Sequence, residues 1–467
     1  MNYLRALLYG ILLFCLFYYL HIWFLFVICL FLLGWFSFVK IRNWGVVFIG
    51  IGLLIGAVRV YHFNEATVGR WDLLTDKVKA LHGQICREVD YRRDKIQYTV
   101  CTDYGKLLVV GDLYPRFEYG DEVALTGKLV VPEPIETFKY DQYLFRFGIT
   151  KISYRPQMAL VSKGHGVLAM LFKGKMILLE QINRMYHEPF GSLIAGLVVG
   201  YRGGLADDLL EQFRVTGLTH IIAISGSNVA LVVILLERLL IVVPKRVRLW
   251  LSIGGIGVFC VFVGLSASVV RAAIMGSLVL VARYFGRDNN VLNVLLLTAA
   301  VMALFVPPIL ANDAGFQLSF MAVVGILVFG KKVEMYFLWL KKWPMLKEAM
   351  VLTLAAQMGT LPLSLYLFQL LPLHSLLVNV TVVPLLPVAI MLACASLGVG
   401  VVFPLVGRLI AVVTSVILKL ILVVVATFAD LKFLVWEFDV RTAQIAALVC
   451  GVGVIWLGIS VLRQEGL

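Results

Sequence analysis

The chain has 467 residues, of which 61% are hydrophobic and 15% are charged, and its mean hydropathy is +0.93. A soluble domain averages about 45–50% apolar and about 25% charged residues. The excess apolar residues recur as stretches near the ~20 residues needed to cross a bilayer core, which excludes a soluble enzyme. The net charge is +13. In a membrane protein such an excess of basic residues usually lies in the cytoplasmic loops. The composition therefore predicts a polytopic α-helical membrane protein.

Residues 1–63 predict three N-terminal transmembrane helices. The apolar run over residues 4–39 is too long for the h-region of a cleavable signal peptide, so it predicts two spans. A third span is predicted over residues 46–60. Lys40 and Arg42 follow the second span, and basic residues mark the cytoplasmic side. The segment after the third span is therefore predicted to lie outside the membrane.

Residues 75–163 predict an extracellular or periplasmic β-rich domain. Ile96, Tyr98 and Val100 alternate with polar residues, which is the pattern of a half-buried strand. Further β-rich runs are separated by turns that contain glycine. About five short strands in a segment of this length are typical of a small β-barrel.

Two cysteines of this domain, Cys86 and Cys101, lie 15 residues apart. Outside the reducing cytoplasm they are candidates for a cross-strand disulfide. Such a bond would stabilise the domain by about 3 kcal/mol through loop-closure entropy. Spacing alone does not fix the geometry that a disulfide requires, so the sequence leaves the bond open.

Residues 166–204 predict interfacial and re-entrant helices. Residues 168–186 mix basic and acidic side chains with apolar ones, as in a helix that lies in the membrane interface. Residues 189–200 are apolar but too short to cross a bilayer. A re-entrant segment is compatible with this length if protein shields it from lipid.

Residues 205–467 predict a channel domain of nine spans. Strongly basic connections alternate with less basic ones, which assigns all the basic loops to one side of the membrane. Together with the N-terminal helices this gives about twelve spans, with both termini in the cytoplasm. The predicted location is a bacterial inner membrane.

Three polar clusters interrupt the apolar helices of this region. The first contains Thr219, His220, Ser225, Ser227 and Asn228. Its small residues favour a broken helix, which frees backbone N–H groups that can face an anion in a cavity. Small residues also serve close helix–helix packing, and this alternative stays open.

The second cluster contains Ser266, Ser268 and Arg271. Arg271 is followed by apolar residues, so it lies inside a span or just under its edge. An arginine at that depth costs about 2.5–3.5 kcal/mol on insertion scales, so it normally faces the bundle interior or water. Snorkelling to the surface is the alternative, and the two neighbouring serines favour a polar cavity.

The third cluster contains Asp313, Gln317 and Ser319. Asp313 is a candidate N-cap of the following helix. Gln317 comes four residues later and shares its helix face. Asp313 is also a candidate partner for Arg271 inside the bundle.

Conventional catalytic signatures are missing from the sequence. The seven histidines show no HExxH motif and no metal-ligand spacing. No P-loop or dinucleotide fingerprint opens a helix. We therefore predict no catalytic residue, no metal and no cofactor. An intramembrane hydrolase that uses Ser225 or Ser227 with His220 is a weak alternative.

A long run of residues carries a family resemblance. The segment GLVVGYRGGLADDLLEQFRVTGLTHIIAISG, from Gly196 to Gly226, strongly resembles the competence domain of the ComEC family. SASVVR from Ser266 and AGFQLSF from Ala314 resemble later family motifs, in the expected order. YGDEV from Tyr119 and FKYDQYLFRFGI at residues 138–149 resemble the family's extracellular OB-fold domain. The resemblance covers nearly the whole chain.

The resemblance implies an inner-membrane channel that carries single-stranded DNA into the cytoplasm during natural transformation. It implies an extracellular DNA receptor, a cytoplasmic DNA-translocating ATPase and a separate nuclease as further partners. The implied DNA pathway in the channel consists of Arg202, Arg214, Thr219, His220, Ser225, Ser227, Asn228, Ser266, Ser268, Arg271, Asp313, Gln317 and Ser319. The candidate DNA contacts of the OB-fold-like domain are Tyr91, Arg92, Arg93, Lys95, Tyr98 and Lys106.

The chain also departs from the family pattern. Members often have histidine at the position of Asn228, and asparagine cannot change its charge near neutral pH. The sequence stops at Leu467 without the HxHxDH pattern of the family's nuclease domain, so nuclease activity is not assigned to it. Residues 77–163 contain 14 basic and 11 acidic side chains, a weak bias that suits transient DNA guidance or a purely structural domain. A transporter or flippase for another anionic solute is the alternative function.

Overall fold

The computed structural model describes residues 2–19, 44–68, 71, 79–134, 139–201, 203–222, 226–288 and 290–464. The chain divides into two compact units. Unit 1 consists of Met1–Lys175 with Leu236–Asp313, and unit 2 consists of Met176–Leu235 with Ala314–Leu467.

The described helices and strands of the first 200 residues are dominated by one β-rich segment. In chain order they are α1 (Asn2–Tyr19), α2 (Trp44–Val68), β1 (Lys79–Ile85), β2 (Asp90–Tyr91), β3 (Ile96–Thr102), β4 (Gly105–Gly111), β5 (Glu122–Gly127), α3 (Tyr140–Phe145), β6 (Ile149–Tyr154), β7 (Gln157–Ser162), α4 (Val167–Met185), α5 (Phe190–Ile194) and a π-helix (Ala195–Val199).

The remainder of the described chain is almost entirely helical. In chain order the elements are α6 (Asp207–Val215), α7 (Thr219–Ile222), α8 (Gly226–Leu239), α9 (Lys245–Val263), α10 (Ala267–Tyr284), α11 (Val291–Phe305), α12 (Ile309–Asn312), α13 (Ala314–Tyr336), α14 (Pro344–Phe368), β8 (Leu370–Pro372), α15 (Ser375–Val382), α16 (Leu385–Val402), α17 (Pro404–Ala429), β9 (Val435–Glu437) and α18 (Val440–Gln464). Single 3₁₀ turns lie at Leu338–Leu340 and Lys432–Leu434.

Eight helices within the described residues are long and apolar enough to cross a membrane, judged by length and composition. They lie at Val47–Val68, Lys245–Val263, Ala267–Tyr284, Ala314–Tyr336, Leu346–Phe368, Ser375–Val402, Pro404–Ala429 and Val440–Gly458. Shorter apolar helices lie at Leu4–Leu16, Phe190–Val199 and Val291–Phe305. The chain is therefore a polytopic helical membrane protein, while the total of about twelve spans stays a prediction.

The third predicted span corresponds to α2, which is longer than the sequence predicted. The predicted second span falls on residues 20–39, which lie outside the described residues. Helix α2 continues beyond the predicted end at Val60 as far as Val68. Asn64 in this extension accepts a hydrogen bond from the Tyr19 hydroxyl at 3.0 Å and donates one to the Tyr18 hydroxyl at 2.7 Å. These bonds to α1 satisfy a polar side chain that would otherwise favour ending the helix.

Seven strands of unit 1 form a mixed sheet with the order β6-β4-β3-β1-β5-β7, and β2 pairs with β3. Strands β4 and β6 are parallel, whereas β1 and β5 are antiparallel. A further bridge joins Val130 to Ile152 of β6. The alternating apolar residues of the strands point into one core, in which Ile85, Ile96 and Val123 are fully buried.

The Cys86–Cys101 disulfide that the spacing left open is formed, with the two Cα atoms 5.8 Å apart. Cys86 follows β1 directly, and Cys101 lies in β3, the neighbouring strand. The bond therefore ties the end of one strand to its partner.

Helices α13 and α14 of unit 2 form a hairpin with a close backbone contact. A Cβ atom on Gly325 would lie 2.4 Å from the Ala355 carbonyl oxygen, and one on Gly359 would lie 2.5 Å from the Met321 carbonyl oxygen. Any larger residue at either glycine would clash with backbone. The two helices therefore contact each other at a point where neither has a side chain.

Candidate functional site

Three basic side chains of unit 1 converge on the ring and backbone of Phe147. The guanidinium carbon of Arg87 lies 4.0 Å from the ring centroid, and that of Arg146 lies 4.3 Å from it. Lys106 donates a hydrogen bond from Nζ to the Phe147 carbonyl oxygen at 3.2 Å. We call Arg87, Lys106, Arg146 and Phe147 the cationic cluster.

The sheet and its flanking helix bring these residues together from distant parts of the sequence. Arg87 follows the disulfide-bonded Cys86, and Lys106 lies in β4. Arg146 and Phe147 follow α3, whose Leu144 packs against strands β4 and β6. The disulfide and the parallel β4–β6 pair therefore fix the backbone on both sides of the cluster.

Arg146 is anchored on one side by an acidic residue and on the other by an aromatic ring. It forms an ion pair with Asp313, and the two side chains are only 12% and 9% exposed. Its guanidinium carbon also lies 4.2 Å from the centroid of the Tyr143 ring. Within the described residues, neither Arg87 nor Lys106 has a carboxylate partner at ion-pair distance.

Electrostatics show that the cations of the cluster repel one another. Burial lowers the pKa of Arg87, and the neighbouring Arg146 lowers it further. Burial also lowers the pKa of Lys106, with Arg87 as the second cause. The Phe147 ring attracts both guanidinium groups, and an exposed cation–π contact contributes about 0.5–1 kcal/mol.

An adjacent ion pair uses the other nearby carboxylate. Lys175 of α4 contacts Glu88 with 2.6 Å between Nζ and Oε1, and the lysine side chain is only 3% exposed. Burial lowers the pKa of Lys175, while Glu88 raises it. Glu88 thus forms its ion pair with Lys175, and from a longer distance its charge also raises the pKa of Arg87.

The second polar cluster of the sequence also lies in unit 1, at the start of α10. Ser266 precedes this helix and is exposed, whereas Ser268 in its first turn is half-buried. Arg271 lies in the second turn and is half-buried. The proposed pairing of Arg271 with Asp313 stays a prediction, since the contact that the structure defines for Asp313 is with Arg146.

The first polar cluster lies in unit 2, where its Asn228 bonds to a backbone carbonyl. Asn228 is 7% exposed and donates from Nδ2 to the Leu197 carbonyl oxygen at 3.0 Å. Leu197 belongs to the π-helix, so this bond joins α8 to an irregular helical turn. Thr219 and His220 in α7 are exposed. The break predicted between the two helices falls on residues 223–225, outside the described residues.

A turn that sequence reasoning did not single out closes around Gly217, whose φ is +74°. A Cβ there would lie 2.9 Å from Ser375 Cβ and 3.2 Å from Pro372 Cγ. Ser375 accepts a hydrogen bond from Gln357 Nε2 at 3.1 Å. His374, which precedes Ser375, is 2% exposed and stacks on Phe428, with ring centroids 5.7 Å apart. The turn at Gly217 therefore packs against Pro372 and against Ser375, the first residue of α15.

Of the other predicted channel residues of unit 2, Arg214 contributes to this turn, because its carbonyl oxygen accepts a hydrogen bond from the Gly217 N–H at 3.1 Å. Gln317 and Ser319 are half-buried on α13. Arg214 is exposed and pairs with Glu211, with 2.9 Å between Nη1 and Oε1. Arg202, Ser225 and the side chain of Ser227 lie outside the described residues. Convergence of all these residues with the clusters of unit 1 stays a prediction.

The candidate DNA contacts on the β-rich domain are mostly accessible, with one correction. Arg92 and Arg93 are exposed and Tyr91 and Lys95 are half-buried. Tyr98, in contrast, is 1% exposed, and its hydroxyl accepts a hydrogen bond from the Phe117 backbone N–H at 3.4 Å. Both faces of its ring are covered in the core, so Tyr98 is not available for stacking on a base.

Sequence reasoning missed Arg87 and Arg146. Arg146 stands between two aromatic residues, Phe145 and Phe147, and this flanking is the signal that could have indicated it. Arg87 carries no comparable signal apart from its place beside Cys86. Among the described residues, no group of three or more His, Cys, Asp or Glu side chains is placed to hold a metal ion.

The fold and the polar groups of its helices define a polytopic helical membrane protein that carries a β-rich domain. The competence protein family matches residues 197–464, which is more than half of the chain. The chain therefore belongs to this family, as the ComEC resemblance predicted.

A characterised relative supports the same assignment. ComE operon protein 3 of Bacillus subtilis (strain 168) is 26% identical to this chain over 273 residues. The match covers 57% of this chain and 34% of the relative, so it spans about a third of the relative's length. No solved structure matches the chain significantly.

Proposed function

We propose that the chain forms an inner-membrane channel for single-stranded DNA in natural transformation. The observation that carries this proposal is the competence-family match over residues 197–464. That segment contains Asn228, Arg271 and Gln317, polar groups within predominantly apolar helices. A phosphate chain cannot enter hydrocarbon, so a channel for it requires polar groups at membrane depth.

The finer architecture belongs to this proposal. About twelve spans would place both termini in the cytoplasm and the β-rich domain outside the membrane. The domain would be an OB-fold, which is supported by its antiparallel β1–β5 pair, its parallel β4–β6 pair and the Val130–Ile152 bridge. An OB-fold combines a basic groove with aromatic side chains on which bases stack.

The proposed partners follow from the family. A DNA receptor outside the membrane would deliver the strand, and a separate cytoplasmic ATPase would pull it. In this channel, Arg271 would contact the phosphate chain within the helical region.

The test is the substitution Arg271→Ala in transformable cells. Charge-assisted hydrogen bonds contribute about 1.5–3 kcal/mol, so transformation should fall by at least about tenfold. Arg283→Ala is the matched control, because Arg283 lies in the last turn of the same helix, three turns from Arg271. Unchanged transformation at normal protein levels would remove Arg271 from the DNA path.

Purified protein in liposomes separates this function from the alternative. A DNA channel admits a labelled single strand that becomes protected from added nuclease when a motor or potential drives it. A transporter or flippase for another anionic solute gives small-anion flux without protected DNA.

A further inference from the structure

Several features lie outside the channel residues considered so far: the cationic cluster on Phe147, the buried His374 and the apolar face of α4. The cationic cluster combines convergent charge, an incomplete set of acidic partners and nearby aromatic rings. We infer that Arg87, Lys106 and Arg146 form a binding site for phosphodiester groups of single-stranded nucleic acid. This inference rests on the proposed function, because it names the first phosphate contacts of the same path.

The charge count around the cluster favours an anion. Arg87 and Lys106 have no carboxylate partner among the residues that the structure describes, while Asp313 and Glu88 are paired with Arg146 and Lys175. The cations therefore outnumber their acidic neighbours. Burial is the main cause that lowers the pKa values of Arg87 and Lys106, and a bound anion would relieve the second cause, the repulsion by the neighbouring guanidinium group.

The kinds of side chain favour phosphate among anions. Guanidinium groups bind phosphate oxygens through two parallel hydrogen bonds, and a lysine ammonium adds a point charge. Arg146 already donates a hydrogen bond to one oxyanion in this position, the carboxylate of Asp313. A phosphate would contact Arg87 and Lys106, because no carboxylate among the described residues lies at ion-pair distance from either of them.

Aromatic rings beside the cluster favour a single strand over an isolated phosphate. Tyr140 and Tyr143 of α3 stack with centroids 6.3 Å apart, and Phe147 meets Tyr143 edge-on at 5.5 Å. Tyr140 is half-buried, so part of it remains accessible, whereas the Phe147 and Tyr143 rings already contact guanidinium groups of the cluster. Stacking of a base on an aromatic ring contributes without regard to sequence, which suits a protein that handles any DNA.

The test measures binding of a fluorescent 20-nucleotide oligothymidylate to the full chain in phosphatidylcholine nanodiscs. The charge-removing variant is Arg87→Gln with Lys106→Gln. We expect binding at least about tenfold weaker at low salt. We also expect the slope of log affinity against log salt to become shallower by about 0.7 for each phosphate that the variant no longer neutralises.

Two further variants separate charge from folding. Arg87→Lys with Lys106→Arg keeps both charges, and it should keep most of the salt slope. Lys128→Gln with Arg155→Gln removes the same charges from accessible positions of the same domain, and it should change binding by less than about twofold. The inference is contradicted if the charge-removing variant binds oligothymidylate as tightly as this control. It is also contradicted if the charge-keeping variant loses as much affinity as the charge-removing variant.

A lipid headgroup carries the same phosphodiester chemistry, so a second measurement distinguishes it. Phosphatidylglycerol retained by the detergent-purified protein is counted for the wild type and the charge-removing variant. If lipid retention falls while oligothymidylate binding stays unchanged, the ligand is a lipid and our inference is overturned. Absence of oligothymidylate binding by the wild type would also overturn it, whereas the transformation assay with Arg271→Ala would still test the proposed function separately.

Discussion

The β-rich domain of unit 1 and the helices of unit 2 satisfy their polar groups in different ways. In the β-rich domain charged side chains meet one another, as in the pairs Lys163–Asp121 at 3.0 Å and Arg155–Asp112 at 3.1 Å. Unit 2 also has ion pairs, such as the exposed Arg214–Glu211 pair, but its less exposed amides donate to backbone carbonyls, as Asn228 does to Leu197 and Gln181 does to Leu397 at 2.8 Å.

The difference reflects the solvent that each region meets. An ion pair at a hydrated surface changes the free energy of folding only slightly, whereas every unpaired backbone group in a membrane costs several kcal/mol. Side-chain amides in unit 2 therefore hold irregular backbone, such as the π-helix that contains Leu197. Arg146 and Asp313 depart from the pattern of the domain, because this charged pair is largely buried.

Breaking that buried pair gives the largest expected effect. Asp313→Asn leaves Arg146 charged and buried without its counter-ion, which should destabilise unit 1 by about 3–5 kcal/mol. Proteolysis of the β-rich domain in the full-length protein, followed against urea concentration, measures the loss. The double variant Arg146→Met with Asp313→Leu should recover most of it, because neither charge remains. Equal stability of Asp313→Asn and the wild type would show that the pair does not contribute.

Removal of the disulfide tests how much this covalent bond stabilises the β-rich domain. Cys86→Ser with Cys101→Ser opens a loop of 15 residues, which should destabilise the domain by about 3 kcal/mol. Cleavage of the domain by protease should accelerate by about a hundredfold where opening is fast relative to cleavage. Cys450→Ser in α18 removes a free thiol and should leave the cleavage rate unchanged; similar acceleration in that control would point away from the disulfide.

An amide substitution tests the backbone contacts of unit 2. Asn228→Leu removes the donor to the Leu197 carbonyl and should cost about 1–3 kcal/mol. Asn379→Leu is the matched control. Asn379 donates to the Ser375 carbonyl oxygen of its own helix at 2.8 Å, and a backbone N–H of that helix also bonds to this oxygen. The midpoint of chemical unfolding in detergent compares them. A larger shift in Asn379→Leu than in Asn228→Leu would contradict the proposed role of Asn228 in holding the π-helix.

The pH dependence of the β-rich domain gives the smallest expected effect. Burial raises the pKa of Asp121, but hydrogen bonds from the backbone N–H groups of Glu118 and Gly164 and from Lys163 bring it below its ordinary value. A carboxyl whose pKa is lowered by folding stabilises the folded state above its unfolded pKa of about 3.9. This stability should be lost as the pH falls through the lower folded value. Asp121→Asn should flatten the acid limb of an unfolding curve; an unchanged limb would exclude Asp121 as its source.

Local pattern predicted much of the β-rich domain. The alternation through Ile96, Tyr98 and Val100 predicted strand β3, which spans Ile96–Thr102. The same alternation places Tyr98 on the inward face with Ile96 and Val100, and this burial conflicts with the DNA contact assigned to it. Periodicity was the better guide here, because a ring on the apolar side of a strand is normally core.

Long-range pairing was beyond the reach of the sequence. Arg146 and Asp313 are 167 residues apart, and no periodicity connects them. The candidate partner for Asp313 was Arg271, because both are charged groups near apolar helices. The structure places the two segments in one unit, and only that tertiary arrangement reveals the pair.

The glycine contact between α13 and α14 restricts how unit 2 can move. Gly325 and Gly359 bring backbone against backbone without intervening side chains, so sliding of one helix past the other would drive carbonyl oxygens into Cα atoms. Protein interiors packed this closely shift between discrete arrangements rather than deforming smoothly. The close contact therefore resists sliding of α13 along α14, so the two helices should move together in any conformational change of unit 2.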